Sequence, residues 1–325
     1  MSKMKKIVCC GGGGIAESIL VPLKKLGANI VAITSMVDNG GSSGALRSEF
    51  DVLPPGDIRR HLLALSEAED WQKKLWDFRF AKEIEMSPGH FGHNFANVFI
   101  GGLEHLLGDF EKALAIAGNF LKIRGQALPA TLDRVQLVAE LENGSSIKGE
   151  DEIDAGENHD RNLKIKRIYL EPKGRAYQPA IREIETADIV IVGPGDLYSS
   201  LLPCFLAEGM KEAIGRSKAE KIFICPAMTK LGETQGYTVE DFADKVEEYL
   251  GVNLSLVVYN NNMPEASRVR AFKEKKEKDF VLDPLVGNDS LSLDKFIGRD
   301  LILDEGEIKF NQTKLTNLLK EICKL

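Results

Sequence analysis

Short apolar runs rich in β-branched residues alternate along the chain with longer stretches in which apolar residues recur at helical spacing. The short runs predict strands at 6–10, 28–36, 135–141, 164–170, 189–192, 221–225 and 254–259. The stretches between them predict helices at 15–26, 91–107, 110–121, 203–214, 239–250 and 264–278. Such alternation is typical of a Rossmann-like, doubly wound α/β fold with a mostly parallel sheet.

The same pattern indicates one continuous domain over residues 1–325, with a helical insertion at about 60–125. Trp71, Trp76 and Phe78 in that insertion are spaced like core residues. A polar, acidic stretch at 143–162 separates two predicted strands and predicts a hairpin or a mobile loop.

Glycines follow the first predicted strand. Ligands of open parallel sheets bind beyond the carboxyl ends of the strands, so the loops there are the candidate site. The segment Gly11, Gly12, Gly13, Gly14, Ile15 and Ala16 fits G-x-G-x-x-A, in which backbone N–H groups approach a phosphate at the start of a helix. The alternative is a tight turn without a ligand, and the strand before and helix after it favour phosphate binding.

The loop after the second strand combines small, hydroxyl and charged residues. Its candidate ligand-binding residues are Asn39, Gly40, Gly41, Ser42, Ser43 and Arg47. Asp38 at its start is a candidate for catalysis and for Mg²⁺, or for a ribose hydroxyl. The alternative is a flexible surface loop.

A further segment begins with Pro54 and Pro55 and enters a helix. Asp57 is explained equally well as a helix cap and as a second metal-binding or catalytic carboxylate. Arg59 is a candidate phosphate clamp, against the alternative of an exposed arginine. His90 and His93 have a spacing that permits metal binding but lack a third ligand, so His93 and Asn97 are expected to line a polar pocket.

Two later strands also end in polar loops. Gly193, Pro194 and Gly195 precede Ser199 and Ser200 and form a candidate anion site, and Thr229 follows the next strand. The strand predicted at 254–259 ends in a fifth polar loop, Asn260, Asn261 and Asn262. The five loops are expected to converge on one edge of the sheet, and this convergence predicts a nucleotide ligand.

Charge, hydropathy and cysteine content exclude several classes of partner and site. The 42 basic and 49 acidic side chains give a net charge of −7, which argues against a nucleic-acid partner. No uncharged apolar run reaches the roughly 18 residues of a membrane helix, so we expect a cytoplasmic protein without a membrane partner. The five cysteines are odd in number and form no CxxC pair, so we expect buried core residues rather than disulfides or zinc ligands.

These motifs resemble the family that joins 2-phospho-L-lactate transferase to the gluconeogenesis factors (the CofD-like family). The gluconeogenesis-factor branch reads GGGTGL, DDGGSSGRLR, PPGDIRN, GHSFGNLF, PATL, GPGSLYTSIIPNL and MTQPGETDGYT. The counterparts in this chain lie at 11–16, 38–47, 54–60, 92–99, 129–132, 193–204 and 228–238. The resemblance covers nearly the whole chain, in order, and is closer to this branch.

The resemblance implies a Rossmann-like domain that binds a nucleotide-type ligand at its glycine-rich loops. In the gluconeogenesis-factor branch it implies a UDP-sugar ligand with roles in envelope precursor supply and carbon metabolism. In the transferase branch it implies transfer of a phospholactyl group from a guanosine diphosphate carrier to a deazaflavin. Relatives of this type commonly self-associate, so a homodimer is implied as well.

Departures from the pattern indicate a divergent member. Asn39 replaces the second of two paired acids, so Mg²⁺ affinity is expected to fall. Ala45 replaces an arginine, and Arg60 replaces an asparagine and would restore a positive charge. Gly14-Ile15, Ala96 and Cys204 also differ from the pattern.

Three functions follow as hypotheses. The first is a nucleotide- or UDP-sugar-binding metabolic regulator, with accessory nucleotidyl transfer at most. The second is a Mg²⁺-dependent transferase in which Asp38, Asp57, Arg47 and Arg59 position and neutralise the phosphates. The third is an NAD-binding oxidoreductase. This hypothesis is weakened because such proteins have an acidic residue at the end of the second strand, whereas Asp38 lies beyond that end. Whether the chain is an enzyme stays open at this point.

Overall fold

Seven parallel strands form the central sheet. The computed structural model describes residues 4–80, 85–87, 90–156, 158–276, 281–285 and 294–325, without the side chains of 85–87, 90 and 91. The strands are β1 Lys6–Cys10, β2 Asn29–Thr34, β3 Glu85–Ser87, β4 His90–Phe91, β5 Gln126–Pro129, β6 Gln136–Leu141, β7 Ser146–Lys148, β8 Ile165–Glu171, β9 Ile189–Val192, β10 Glu220–Ile224, β11 Met228–Lys230, β12 Leu256–Asn260, β13 Val281–Pro284 and β14 Phe296–Arg299.

Helices cover both faces of the sheet. They are α1 Val21–Lys25, α2 Gly41–Phe50, α3 Gly56–Leu65, α4 Asp70–Trp76, α5 Phe95–Leu107, α6 Phe110–Phe120, α7 Glu150–Asp154, α8 Gln178–Glu185, α9 Met210–Arg216, α10 Val239–Leu250, α11 Ala266–Lys275 and α12 Gln312–Cys323. No helix in the described ranges is both long enough and apolar enough to span a bilayer.

The strand order of the central sheet is β5-β2-β1-β9-β10-β12-β14. The chain starts in the middle at β1, builds outward through β2 and β5, and then returns to build outward from β9. The topological switch point therefore lies between β1 and β9, where Val8 pairs with Val31 on one side and Val190 on the other. The predicted Rossmann-like, doubly wound fold is confirmed.

Strand β1 is apolar on both sides because the sheet is covered on both faces. Ile7 and Cys9 pack into one core, and Val8 and Cys10 pack into the other. All five cysteines are free and buried, so their prediction as core residues is confirmed.

The helices between β2 and β5 correct one detail of the predicted core. Trp76 is fully buried, but the side chains of Trp71 and Phe78 are 57% and 49% exposed. Trp71 and Trp76 are five residues apart and therefore lie on different faces of α4, and Phe78 follows the end of that helix. The indole N–H of Trp71 donates to Glu69 Oε2 at 3.1 Å, at the surface.

Two segments predicted as single α-helices are not α-helical over their whole length. The segment predicted as one helix at 15–26 begins as a π-helical turn, Ala16–Leu20, before α1. The segment predicted at 203–214 starts as a 3₁₀ turn, Leu202–Phe205, and becomes α-helical only from Met210. Gly209 between the two pieces has a φ of +101°, a conformation that ends a right-handed helix and favours glycine.

The acidic stretch at 143–162 is a hairpin followed by a short helix. Strands β6 and β7 pair antiparallel, and β8 pairs with the other edge of β6. Helix α7 follows β7 and contacts the turn that comes after β9. Of the two predicted alternatives, the hairpin is present, and α7 is held by side-chain contacts to the loops of the central sheet.

Candidate functional site

The glycine-rich loops after β1 and β9 meet at the switch point. The N–H of Gly11 donates to Ile33 O at 3.1 Å, and the N–H of Gly193 donates to Cys10 O at 3.1 Å. Both loops are therefore anchored to the ends of neighbouring strands. Within the described residues, the amides of Gly12, Gly13 and Gly14 donate to no protein acceptor, so they are available to a ligand.

Two of these glycines allow charged side chains to approach the backbone. A Cβ atom on Gly12 would lie 3.0 Å from Asp57 Oδ2 and 3.0 Å from Ser200 Oγ. A Cβ atom on Gly13 would lie 2.9 Å from Asp57 Oδ1 and 2.7 Å from Nη1 of Arg60. Arg60 is thus placed over the loop, where its positive charge can reach a bound phosphate.

Asp38 faces Asp57 at the start of α3. The N–H of Gly40 donates to Asp38 Oδ1 at 3.0 Å, and the other carboxylate oxygen of Asp38 lies over Gly56. Burial, together with the negative charge of Asp57, raises the pKa of Asp38 from its ordinary value of 3.8 to about 6. Two facing carboxylates are a donor set that suits a hard divalent cation, so these residues fit Mg²⁺.

Helix α7 adds acidic residues that the sequence prediction missed. Asn39 Nδ2 donates to Asp151 Oδ1, and the N–H of Asp151 donates back to Asn39 Oδ1 at 3.1 Å. This pair fastens α7 to the loop after β2. Burial and the charges of Asp38 and Asp154 raise the pKa of Glu150 well above its ordinary value, which places Glu150 among the acids of the site.

A buried lysine lies on the other side of the glycine loops. Lys230 Nζ donates to Asp154 Oδ1 and to Asp196 Oδ2, the latter at 3.2 Å, and lies 3.7 Å from Glu233 Oε1. Oxygens of these three carboxylates lie within 4.8 Å of one another. The sequence prediction named none of these four residues as a site residue, although Asp196, Lys230 and Glu233 lie in two of the polar strand-end loops that it expected to converge.

Glu233 connects this cluster to the turn after β9. The backbone N–H groups of Tyr198 and Ser199 donate to Glu233 Oε2 at 2.8 and 3.1 Å, and Ser199 Oγ donates to Oε1 at 2.9 Å. Burial and the charges of Asp196 and Asp154 nevertheless raise the pKa of Glu233 to about 7. Glu233 is held in place by this turn, with both carboxylate oxygens bonded within the protein.

A cavity of about 830 Å³ opens from the switch point. It is lined on the polar side by residues of the loops after β1, β9 and β11, namely Gly14, Pro194, Gly195, Asp196 and Lys230. Apolar side chains of Met228, Ile308 and Phe310 also line it. Its volume suits a nucleotide-sized ligand.

Several predicted ligand-binding side chains also have partners within the protein. Arg47 donates to Val37 O at 3.5 Å and to Val135 O. Arg59 is buried, with Nη1 3.5 Å from Asp77 Oδ1. Thr229 lines the cavity, but its hydroxyl donates to Asp283 O at 3.1 Å.

The serines of α2 hold α5 in place. Ser42 Oγ lies 3.1 Å from His93 Nδ1, and Asn97 Nδ2 donates to Ser43 Oγ at 3.4 Å. Ser43 also lies beside Gly56 and Asp38, so these residues support the Asp38 loop from behind. The side chain of His90 lies outside the described residues.

Fold and site together define a doubly wound α/β protein with a glycine-lined, acidic cleft at its switch point. The chain belongs to the 2-phospho-L-lactate transferase CofD family, whose model matches residues 7–295. The family expected from the sequence motifs is thereby confirmed.

Similar proteins share this fold over nearly their whole length. The gluconeogenesis factor of Bacillus subtilis is 32% identical over 334 residues, covering 100% of both chains. That of Halalkalibacterium halodurans is 37% identical over 282 residues, covering 86% of this chain and 85% of the relative. A crystal structure of a UPF0052-family protein from Bacillus halodurans has a TM-score of 0.85 at 32% identity, covering 97% of this chain and 99% of that chain.

Proposed function

We propose that this chain is a nucleotide-sugar-binding metabolic regulator of the gluconeogenesis-factor type, with a UDP-sugar as its ligand. The observation that carries the proposal is the cavity that joins the free amides at Gly14 and its neighbours to an apolar wall at Phe310. Amides bind the diphosphate, and the apolar wall receives the base or sugar ring. The full-length similarity to proteins named gluconeogenesis factor supports the regulatory role.

The charges around the loops require a cation with the ligand. Asp38, Asp57 and Glu150 face the same region, and Arg60 is the cation over the glycine loop. A diphosphate brought into this field is repelled unless a divalent ion screens it. We therefore propose that Asp38 and Asp57 hold Mg²⁺, which would supply charge neutralisation at the phosphates.

A transferase is the second candidate, and one observation favours it. The pKa of Asp38 is raised to about 6, so this carboxylate could accept a proton from an attacking hydroxyl near neutral pH. The chain also matches a family described as 2-phospho-L-lactate transferase.

A thermal-shift panel separates these functions. The protein is melted with UDP-GlcNAc, UDP-glucose, UTP, GTP, GDP and NAD, each with Mg²⁺ and with EDTA. A ligand at about 100 times its dissociation constant adds roughly 2.7 kcal/mol to the free energy of unfolding, which raises the melting temperature by several degrees. We expect a shift with uridine diphosphate sugars that requires Mg²⁺. A shift confined to guanosine nucleotides would favour the transferase, and one confined to NAD would contradict both.

A glycine of the first loop and a glycine of α9 provide a matched pair of variants for the phosphate position. Gly13→Ala places a methyl group against Asp57 and Arg60, so we expect it to reduce affinity for the shifting nucleotide by at least about tenfold, or roughly 1.4 kcal/mol. Gly215→Ala, in α9, places its methyl where nothing lies within 4 Å, and should retain binding. Isothermal titration measures both. Equal affinities in two folded variants would contradict the proposed position of the phosphate at this loop.

A further inference from the structure

The carboxylates of Asp154, Asp196 and Glu233 converge on the ammonium group of Lys230. The side chain of Lys230 is 8% exposed and that of Glu233 is 1% exposed, whereas Asp154 and Asp196 are 33% and 46% exposed towards the cavity. An ammonium has three donors and no acceptor, so it can serve all three acids at once. The cluster is thus built around a cation that belongs to the protein.

The same oxygens would otherwise form a divalent-cation site. Three carboxylates whose oxygens lie within 4.8 Å of one another match the oxygen-rich sets that bind Mg²⁺ or Mn²⁺. Lys230 Nζ already lies within hydrogen-bond distance of two of them and 3.7 Å from the third. A metal ion would have to displace the buried ammonium group of Lys230, whose charge these three carboxylates compensate.

We propose that Lys230 is the resident cation of this acidic centre and takes the place of a metal ion there. Asp154 and Asp196 are thereby kept as hydrogen-bond acceptors, which suit hydroxyl groups of a ligand in the cavity. A consequence follows if the proposed function holds, and it rests on that function. The ligand is then bound with one divalent cation, at Asp38 and Asp57, and with no second cation at the carboxylates around Lys230.

Counting bound Mn²⁺ without any nucleotide tests the proposal independently of the proposed function. All chains carry Asp38→Asn, so that the other candidate cation site is weakened, and bound Mn²⁺ is read from the loss of the free-ion electron paramagnetic resonance signal. Adding Lys230→Gln should create one Mn²⁺ site, with affinity at least about tenfold above the chain that keeps Lys230. Adding Lys230→Arg, which retains the positive charge, should create none.

Two results would overturn the proposal. One is a folded Lys230→Gln chain that binds no more Mn²⁺ than its parent. The other is a chain with Lys230 intact whose Mn²⁺ site disappears on Asp196→Asn, since the metal would then coexist with the lysine. If the Lys230→Gln chain loses its cooperative melt in EDTA, Mn²⁺ should restore the melt, and failure to restore it also contradicts the proposal. Loss of nucleotide binding alone would bear only on the proposed function.

Discussion

Asp38 and Asp57 illustrate how neighbouring side chains determine chemistry at the scale of single residues. Asp38 accepts the N–H of Gly40, which favours its charge, yet burial and the charge of Asp57 dominate and raise its pKa to about 6. A bound cation would stabilise the ionised carboxylate of Asp38, which the empty site destabilises. The loss of folding stability caused by this charge is therefore linked to the proposed Mg²⁺ binding.

Asp38→Asn should stabilise the protein in the absence of metal. The folded protein binds the Asp38 proton more tightly than the unfolded chain does, so the free energy of unfolding falls as the pH rises from about 4 through about 6. At pH 7 in EDTA the wild type carries this penalty in full and the variant does not. We expect the variant to melt at least about 2 °C higher at pH 7, with the difference vanishing near pH 4.

Mg²⁺ should raise the melting temperature of the wild type but not that of Asp38→Asn, so that the wild type becomes the more stable of the two. Asp244→Asn, on the exposed face of α10, is the control for simple removal of a carboxylate. Calorimetric melts across pH 4–8 make the measurement. A difference between wild type and Asp38→Asn that is independent of pH would contradict the assignment.

At the scale of elements, α7 connects the smaller antiparallel sheet to the central site. It is only five residues long, and a helix of this length is not stable in isolation. Its contacts to other elements hold it in place: Asp151 pairs with Asn39, and Asp154 pairs with Lys230. The position of Glu150 in the site depends on both pairs.

The pairing of Asn39 with Asp151 is testable by exchanging the two residues. Asn39→Asp alone puts two carboxylates in contact and should lower the free energy of unfolding in EDTA. Asn39→Asp combined with Asp151→Asn restores an amide–carboxylate pair, so we expect a favourable coupling of about 0.5–3 kcal/mol. Urea unfolding of the wild type, both single variants and the double variant yields this coupling energy. Additive effects of the two changes would show that the pair does not hold α7.

Two large cores, one on each face of the parallel sheet, organise the whole molecule, and a small third cluster of Ala227, Ile302 and Ile308 lies apart from them. Cysteines occupy both cores, with Cys10, Cys204 and Cys225 on one side and Cys9 and Cys323 on the other. Burial raises the pKa of every one of these thiols, to about 12 for Cys204 and Cys323. Neither deprotonation nor reagent access is available in the native state.

Thiol labelling should therefore report global unfolding. Native protein at pH 8 is expected to react with none of its five thiols on the time scale of a manual assay, and all five should react in guanidinium. In moderate denaturant the labelling rate should equal the unfolding rate from circular dichroism. Because Cys323 ends the last helix, Cys323→Ala is the control for local fraying. Labelling that outpaces unfolding in this variant would contradict the two-core description.

Much of the architecture follows from local sequence pattern. Strands such as β1 and β9 are short apolar runs, and the glycines that follow them are adjacent in sequence, so both the doubly wound fold and the loops at the switch point are predictable. Periodicity also indicated a helix around Trp76. It did not show that Trp71 lies at the surface, because that depends on which face of α4 meets the core.

The acidic half of the site was decided only by the tertiary structure. Asp151 is 112 residues from Asn39, and Asp154 is 76 residues from Lys230, so no local motif connects the partners. Conversely, Arg47 and Arg59 have suitable chemistry in the sequence, but the fold directs them to backbone carbonyls and to Asp77. The sequence by itself determined the strands, the glycine loops and the family, because those signals are local. Which charges meet at the switch point was settled by packing between distant segments, because an ion pair depends on distance in space.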